Sequence, residues 1–146
     1  MRVILAEKPS VAQSIAAVLG ANQKRNGYLQ GENDLVSWCI GHLIELAPPE
    51  IYDARYAKWR REDLPIVPSA WESVVSDGTK KQFAVLKDLL NRTDVDEVVC
   101  ATDAGREGEL IFRMVYEKTG CTKPVKRLWI SSLEESAIRD GLRSLK

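Results

Sequence analysis

The sequence predicts an α/β fold in which a central, mainly parallel sheet is flanked by helices. Three strand-like runs indicate the sheet at residues 2–6, 96–102 and 125–130; the first is apolar and the second is β-branched. Each run is followed by a segment in which apolar residues recur at helical spacing. Strands and helices that alternate in this way are typical of a parallel sheet with right-handed crossovers.

The first unit is a strand, a turn and a helix. The apolar run at residues 2–6 stops at Glu7, as a buried strand of a parallel sheet does. Pro9 suits the first turn of a helix, because its missing N–H would have no partner there. Helical spacing continues to Leu19, and Gly20 is placed to end the helix in a left-handed cap.

The middle of the chain predicts a hairpin followed by an irregular segment. Two short strand-like runs, Tyr28–Leu29 and Leu35–Ile40, are separated by turn-forming residues. From about residue 41 to residue 78 no steady period is present, and this stretch carries four of the six prolines. We therefore expect an irregular excursion on the surface there.

The second half repeats the alternation of helix and strand. Residues 80–92 predict a helix with one apolar face, and residues 96–102 are the clearest strand of the chain. A further helix is expected between Gly105 and Gly120. Ser132 has a glutamate three residues later, which is the spacing of a capping box and predicts the start of a last helix.

Length and composition indicate one globular domain over residues 1–146. With 45% hydrophobic and 29% charged residues, the 146-residue chain is long enough for one core and is not disordered in composition. No apolar run approaches the roughly 20 residues of a membrane-spanning helix, and no signal-peptide core opens the chain. We therefore expect a cytoplasmic protein without a membrane segment.

Charge, cysteines and tryptophans constrain the function less. The formal net charge is zero, which neither shows nor excludes binding to nucleic acid. The three cysteines are odd in number and widely spaced, so we expect reduced, mostly buried thiols instead of disulfides or a zinc site. The four tryptophans are expected to be core or half-buried packing residues.

Three carboxylates follow the predicted strands. Glu7 ends the first strand, Asp103 follows the strand at 96–102, and Glu107 falls in the first turn of the next helix. Because ligands of such sheets bind beyond the carboxyl ends of the strands, all three can face one crevice. Carboxylates this close repel unless a cation or proton separates them, and Mg²⁺ suits their oxygens and bridges to phosphate. The pattern favours phosphoryl-transfer chemistry.

A second interpretation gives Asp103 and Glu107 a purely local role. Both can cap a helix and favour the positive end of its dipole, and spacing alone gives the two interpretations about equal weight. Glu109 is the poorer ligand candidate, because two helical steps, roughly 200° of rotation, place it nearly opposite Glu107.

Motifs in a fixed order cover nearly the whole chain. They are "AEKPSVA" at residues 6–12, "GHLIELAPPEIYD" and "KWRREDLPIVP" in the middle, "ATDAGREGELIFR" at 101–113, and the closing "RLWISSLEESAIRDGL". Together they resemble the Toprim domain of type IA DNA topoisomerases, in particular the bacterial topoisomerase III branch. The resemblance implies a Rossmann-like Toprim fold from the N-terminal part of a longer enzyme that acts at the bacterial nucleoid.

The same resemblance implies roles for individual residues. Enzymes of this family cleave and rejoin one DNA strand through a 5′-phosphotyrosine link. Glu7 would act as general acid and base beside the scissile phosphate, and Lys8 would neutralise that phosphate. Mg²⁺ would be held by Glu7, Asp103 and Glu107, while Arg106 would orient these acids or contact DNA. The implied partners are single-stranded DNA, or DNA with single-stranded regions, and the remaining domains of the same polypeptide.

Two features depart from the pattern of the family. Its commonest arrangement is Asp-x-Asp-x-Glu, whereas Gly105 occupies the middle position here, which leaves the number of metal ions open. The family's catalytic tyrosine lies in a later domain, and Tyr28, Tyr52, Tyr56 and Tyr116 are interpreted as structural. We therefore expect that this chain alone does not relax DNA.

Weaker signals concern DNA contact. Basic and aromatic residues alternate in "RYAKWRR", residues 55–61, which suits contact of Arg60 and Arg61 with a DNA strand. Acidic neighbours dilute that charge, so a solvated surface segment is the stronger alternative. His42 follows a predicted strand and can approach DNA, although a lone histidine is more often structural.

Two other functions are alternatives to the interpretation of the chain as part of a topoisomerase. A stand-alone Toprim nuclease would cut nucleic acid irreversibly without a tyrosine, although the topoisomerase-like segments between Gly41 and Pro68 argue against it. A non-catalytic module that binds Mg²⁺ or nucleic acid is the alternative from another class. Nicking, binding or relaxation of DNA distinguishes the three.

Overall fold

The computed structural model describes residues 1–146 and has helices on both faces of a central sheet. In chain order, the strands are β1 (Arg2–Ala6), β2 (Gln23–Arg25), β3 (Tyr28–Gln30), β4 (Asp34–Trp38), β5 (Ile44–Leu46), β6 (Ser73–Val75), β7 (Glu97–Ala101) and β8 (Val125–Arg127). The helices are α1 (Pro9–Leu19), α2 (Pro49–Tyr52), α3 (Lys80–Leu90), α4 (Arg106–Thr119) and α5 (Glu135–Arg143).

The central sheet has six strands in the order β2-β3-β4-β1-β7-β8. β1 lies in the middle and pairs in parallel with β4 and β7, and β7 pairs in parallel with β8. β2, β3 and β4 are joined by antiparallel pairing. The sheet is therefore mainly parallel, which confirms the predicted fold class.

Alternate residues of β1 point to two separate hydrophobic layers. Val3 and Leu5 belong to a core cluster that also contains residues of α3 and α4. Ile4 and Ala6 belong to a second cluster with residues of α1 and α5. Because successive side chains of a strand point to opposite faces, one fully buried strand serves both layers.

The predicted start and end of α1 are confirmed. Pro9 occupies its first turn, and Gly20 ends it with φ 68°, a left-handed conformation that glycine adopts at no steric cost. α3, β7 and α4 also lie where the sequence predicts them, to within a few residues at their ends. None of the helices is long and apolar enough to cross a membrane.

The hairpin is larger than the sequence predicts. β3 and β4 form the expected pair, but β2 adds a further antiparallel strand at the sheet edge. All three residues of β2 are exposed and polar, so no apolar alternation marks it in the sequence. Backbone pairing with β3 alone defines this strand.

The segment from 41 to 78 is less irregular than expected. β5 and β6, which lie near its two ends, pair into a separate antiparallel sheet of two strands. Between them lie α2 and two short 3₁₀ turns, Ala54–Ala57 and Arg61–Asp63. Strands of three residues are too short to show a period, which is why the sequence does not predict them.

Near the C-terminal end, two expectations were wrong. The predicted strand at 125–130 ends at Arg127, although the Leu128 amide still donates to the Cys100 carbonyl at 2.9 Å. The capping box is absent, because α5 begins at Glu135 with Glu134 as its N-cap residue. Ser132 instead accepts a hydrogen bond from the Glu134 amide at 3.2 Å.

Cysteines and tryptophans differ in how well they were predicted. All three cysteines are free and buried, as expected. Trp59, Trp71 and Trp129 are 83%, 62% and 59% exposed, so the expectation of packing residues was wrong for these three. All three lie outside the helices and strands, where no second layer covers them.

Candidate functional site

The candidate site lies where two adjacent strands end. Glu7 follows β1 and Asp103 follows β7, two residues after its last residue, Ala101. The strands are parallel, with Ala6 opposite Ala101, so both acids reach the carboxyl edge of the sheet together. The Asp103 amide donates a hydrogen bond to Glu7 Oε2 at 3.2 Å. This part of the predicted constellation is therefore brought together by register.

Glu107 has a histidine and an arginine as neighbours at the start of α4. Its Oε2 lies 3.9 Å from His42 Nε2, and its Oε1 lies 3.4 Å from Arg106 Nε. The Glu107 side chain is 64% exposed and that of Arg106 is 93% exposed. His42 thus reaches the candidate site from the loop after β4, and both it and Arg106 can meet an incoming anion.

Nowhere in the chain are three or more histidine, cysteine, aspartate or glutamate side chains arranged to hold a metal ion. The donors that the sequence singles out are nevertheless all carboxylates, the ligand type that Mg²⁺ prefers. Mg²⁺ also keeps several of its waters, so one or two carboxylates are enough for a site that substrate phosphate completes. The chemistry of the donor set therefore fits Mg²⁺.

Lys8 is placed beside Glu7 as the N-cap residue of α1, with an extended backbone. Its side chain is exposed and enters no salt bridge within the chain. An unpaired ammonium next to the N-terminal end of a helix attracts phosphate through both its own charge and the helix dipole. The position agrees with the anion-binding role that the resemblance implies.

The turn from β7 into α4 is built by close backbone contact. The Thr102 hydroxyl donates to the Gly108 carbonyl at 2.7 Å, and the Gly105 amide donates to the Asp103 carbonyl at 2.8 Å. A Cβ atom at Gly108 would lie 2.2 Å from the Asp103 carbonyl oxygen. Only glycine therefore allows α4 to start this close to Asp103.

Gly105 differs from Gly108 in having free space around it. A Cβ atom there would meet nothing within 4 Å. The backbone is extended, with φ −153°, a conformation open to any residue. The missing carboxylate of the Asp-x-Asp-x-Glu pattern is therefore a difference of side chain only, and the turn itself accommodates an aspartate.

Arg127, at the end of β8, binds this turn, a role that sequence reasoning does not predict. Its Nη2 donates to the carbonyls of Thr102 at 2.9 Å and Asp103 at 2.6 Å, and Nη1 donates to the Thr102 hydroxyl at 3.0 Å. Nη1 also contacts the Cys100 sulfur. Only 13% of the Arg127 side chain is exposed. No local pattern marks this role, because the residues that Arg127 contacts on the turn are 24 and 25 positions away.

Glu109, the poorer ligand candidate, contacts two arginines and none of the candidate metal ligands. It accepts a hydrogen bond from Arg113 Nε at 2.7 Å, and its other oxygen lies 3.5 Å from Arg127 Nη1. Glu109 is therefore a counter-charge for two arginines.

Burial raises the pKa of the neighbouring Cys100 thiol, while contacts with Thr102 and Arg127 act in the opposite direction.

A cleft of about 230 Å³ opens beside Asp103. One wall is the turn at residues 101–104, and the other is the segment at 130–133 that leads into α5. Ser131 and Ser132 line it with hydroxyl groups, while Val11 contributes an apolar surface. The cleft extends the candidate site along the carboxyl edge of the sheet.

The other predicted DNA contacts lie in the excursion. Arg60 and Arg61 are exposed and form no salt bridge, at the start of the second 3₁₀ turn. No contact joins them to Glu7 or Asp103, so their role stays a prediction.

None of the four tyrosine hydroxyls is hydrogen-bonded to Glu7, Asp103 or Glu107. Tyr116 donates to the Lys123 carbonyl, Tyr52 is bonded to the backbone of Glu72, Tyr56 accepts from Arg55, and Tyr28 packs against the core.

Comparison with known proteins decides the family. The family model described as "Toprim domain" matches residues 2–133 of the chain. This chain belongs to the Toprim family. The order of motifs in the sequence therefore identifies the family correctly.

The relatives of this Toprim chain are much longer proteins. It is 55% identical over 145 residues to DNA topoisomerase 3 of Shouchella clausii and 54% identical over 144 residues to that of Bacillus licheniformis. It is also 52% identical over 144 residues to DNA topoisomerase 3 of Bacillus anthracis. Each alignment covers 99% of the chain but 20% of the relative, so the chain spans about a fifth of their length.

A solved structure confirms the fold of the Toprim chain. Full-length topoisomerase I from Thermotoga maritima superposes with a TM-score of 0.62 over 99% of this chain and 21% of that protein. Sequence identity in the superposed region is 23%, so the likeness concerns the fold.

Proposed function

We propose that this Toprim chain is the metal- and phosphate-binding part of a type IA DNA topoisomerase, which cleaves and rejoins one DNA strand through a 5′-phosphotyrosine link. The observation that carries the proposal is the meeting of Glu7 and Asp103 at the ends of β1 and β7, with the Asp103 amide 3.2 Å from Glu7 Oε2. The high identity to DNA topoisomerase 3 sequences supports it.

Glu7 is the proposed general acid and base. It stands at the carboxyl edge of the sheet, where its second oxygen remains free to exchange a proton with the 3′ oxygen of the cleaved strand. Lys8, exposed on the adjoining helix cap, neutralises the scissile phosphate. The two residues are consecutive, so a phosphate held by Lys8 lies within reach of Glu7.

Asp103 and Glu107, with Glu7, are the residues that would hold Mg²⁺. When bound, the ion supplies positive charge that stabilises the negative charge of a phosphate under attack. Asp103 is fixed by the β7–α4 turn, whereas Glu107 is exposed beside Arg106 and His42. A phosphate that binds Arg106 and His42 leaves Glu107 available as a ligand.

DNA is the proposed substrate, with single-stranded DNA or single-stranded regions as the form that reaches the site. Arg106 and Lys8 provide cations around the carboxylates, with His42 beside them, and cations of this kind supply the sequence-independent part of DNA affinity. Arg60 and Arg61 provide a further exposed basic pair. The remaining domains of a longer polypeptide would supply the tyrosine nucleophile.

Titration with Mg²⁺ by calorimetry tests the metal site. Asp103→Ala and Glu107→Ala should each weaken binding by at least about 10-fold, because each removes one of few carboxylate ligands. Glu117→Ala, which removes an exposed carboxylate from the far end of α4, should bind like the wild-type chain and serves as the matched control. Equal binding by all four proteins would exclude Asp103 and Glu107 as ligands.

A further inference from the structure

We propose that Arg127 is the positioning residue of the candidate site: its guanidinium fixes the Thr102–Asp103 turn and thereby the direction of the Asp103 carboxylate. This inference rests on the proposed function, in which Asp103 binds the metal ion. Arg127 itself would touch neither metal nor DNA.

The contacts of Arg127 converge on consecutive residues of one turn. Its Nη2 spans the carbonyls of Thr102 and Asp103, at 2.9 and 2.6 Å, and its Nη1 reaches the Thr102 hydroxyl at 3.0 Å. These carbonyls belong to the backbone directly before and at the carboxylate-bearing residue. A planar guanidinium has donors in a fixed fork, so it restrains both peptide groups at once.

The burial of Arg127 excludes the simpler role of a DNA contact. Its side chain is 13% exposed, whereas Lys126, the preceding residue on β8, is 51% exposed and pairs with Glu97. The buried Nε of Arg127 has no hydrogen-bond partner. The arginine is therefore held by the contacts of its two terminal nitrogens, which lie on Cys100 at the end of β7, on the β7–α4 turn and on Glu109.

Other contacts act on the turn from the side of α4. Gly108 allows the helix backbone to approach the Asp103 carbonyl, and the Thr102 hydroxyl donates to the Gly108 carbonyl. Glu109 lies 3.5 Å from Arg127 and offsets its charge. The Asp103 carbonyl thus lies between the first turn of α4 and the guanidinium, and removal of either side would free it to rotate.

The test compares Arg127→Gln and Arg127→Lys with Lys126→Gln as the matched control on the same strand. Each protein is titrated with Mg²⁺ by calorimetry and unfolded with urea, and amide exchange of Asp103 and Gly105 is followed by NMR. Loss of a group that orients a metal ligand weakens metal binding by roughly 10-fold to 100-fold. We expect that loss in Arg127→Gln at temperatures where it is fully folded, a smaller loss in Arg127→Lys, and none in Lys126→Gln.

Two results would overturn the inference. One is a lowered urea midpoint with an unchanged Mg²⁺ dissociation constant, which would make Arg127 merely structural. The other is unchanged exchange of the Asp103 and Gly105 amides in both variants. If the wild-type chain binds no Mg²⁺, the proposed metal site fails by itself, and faster exchange of these amides in the variants still supports the positioning role. If Arg127→Gln does not fold, Arg127→Lys, which keeps the charge, is compared with Lys126→Gln instead.

Discussion

At the scale of single residues, the β7–α4 turn depends on a glycine, a threonine and an arginine that are not adjacent in the sequence. Thr102 joins the turn to α4 through its hydroxyl, and Arg127 donates hydrogen bonds to the backbone of the turn. Gly108 allows the turn to approach the helix closely. The side chain of Asp103, which lies in this turn, remains free for a ligand. The metal binding proposed for Asp103 therefore depends on neighbours that are not themselves proposed to bind the metal or the DNA.

Gly108→Ala should destabilise the chain by about 1–3 kcal/mol, the usual cost of forcing an extra carbon into close packing. The added Cβ would lie 2.2 Å from the Asp103 carbonyl oxygen, so the turn or the helix must shift. The measurement is the urea midpoint at unchanged m-value. Gly78→Ala is the control, because its Cβ meets nothing within 4 Å and its midpoint should be near that of the wild type. Equal midpoints for the two variants would show that the turn yields without cost.

The buried thiol of Cys39 should make the folded chain less stable at alkaline pH. Burial raises the pKa of its thiol to about 12, with smaller contributions from Cys100 and Glu7. The unfolded value is about 8.5, so above that pH the unfolded chain loses a proton that the folded chain keeps. Unfolding is thereby favoured as pH rises, by about 2 kcal/mol at pH 10 from this group alone.

The check is a comparison of the wild type with Cys39→Ala between pH 7 and pH 10. The variant loses packing at every pH, but its free energy of unfolding should fall less steeply with pH. The difference in free energy of unfolding between the two proteins should therefore become smaller as pH rises. A gap that stays constant would mean that the thiol ionises as readily in the folded state as in the unfolded state.

At the scale of elements, one glutamine joins α3 to the hairpin. The buried Gln82 Nε2 donates to the carbonyl of Gly27 at 3.1 Å, to the hydroxyl of Ser37 at 3.1 Å and to the carbonyl of Trp38 at 2.9 Å. β3 and β4 are thus tied to a helix that follows them by more than 40 residues. The sequence marks α3 by its apolar face and gives no sign of this polar contact.

Gln82→Leu should cost about 1–3 kcal/mol, because it leaves buried polar groups of the hairpin without their donor. The measurement is chemical unfolding, combined with amide exchange at β3 and β4, where protection should fall most. Lys81→Leu changes an exposed position of the same helix and is the control. If both variants unfold at the wild-type midpoint, water replaces the glutamine at no cost.

At the scale of the whole molecule, the sheet brings together acids that are 96 positions apart in the chain. Glu7 and Asp103 meet because β1 and β7 are neighbours with Ala6 opposite Ala101. The chain nevertheless spans about a fifth of the length of its relatives, and none of its tyrosine hydroxyls is bonded to these acids. In the proposed function, this metal and phosphate site is one part of the catalytic centre, and the tyrosine nucleophile comes from another domain.

The chain alone, with Mg²⁺ and supercoiled plasmid, should neither relax nor nick the DNA. Its proposed site contains an acid, a base and phosphate-binding cations but no nucleophile aligned with them. Gel electrophoresis of the plasmid provides the measurement, with the full-length topoisomerase of a relative as the positive control. Nicked circles that disappear in Glu7→Gln would instead support the Toprim nuclease. Retarded plasmid without a change of topology would support a binding module.

Local patterns account for most of the architecture. The alternation of β-branched runs with helical spacing marks β1, α1, α3, β7 and α4, because each is long enough to show its period and is buried on a defined face. The short strands β2, β5 and β6 carry no such pattern, since backbone pairing with a partner defines them. The motif order also identifies the Toprim family and, with it, Glu7, Lys8, Asp103 and Glu107 as candidates.

The sequence alone is enough to predict the fold class, the family and the acids at the ends of the strands. The three-dimensional arrangement sets which groups come together: Glu7 with the Asp103 amide, and Glu107 with His42. It also decided that Arg127 supports the turn. The physical reason is that strand order and register set distances between residues far apart in the chain, whereas sequence periodicity reports only which face of its own element a residue occupies.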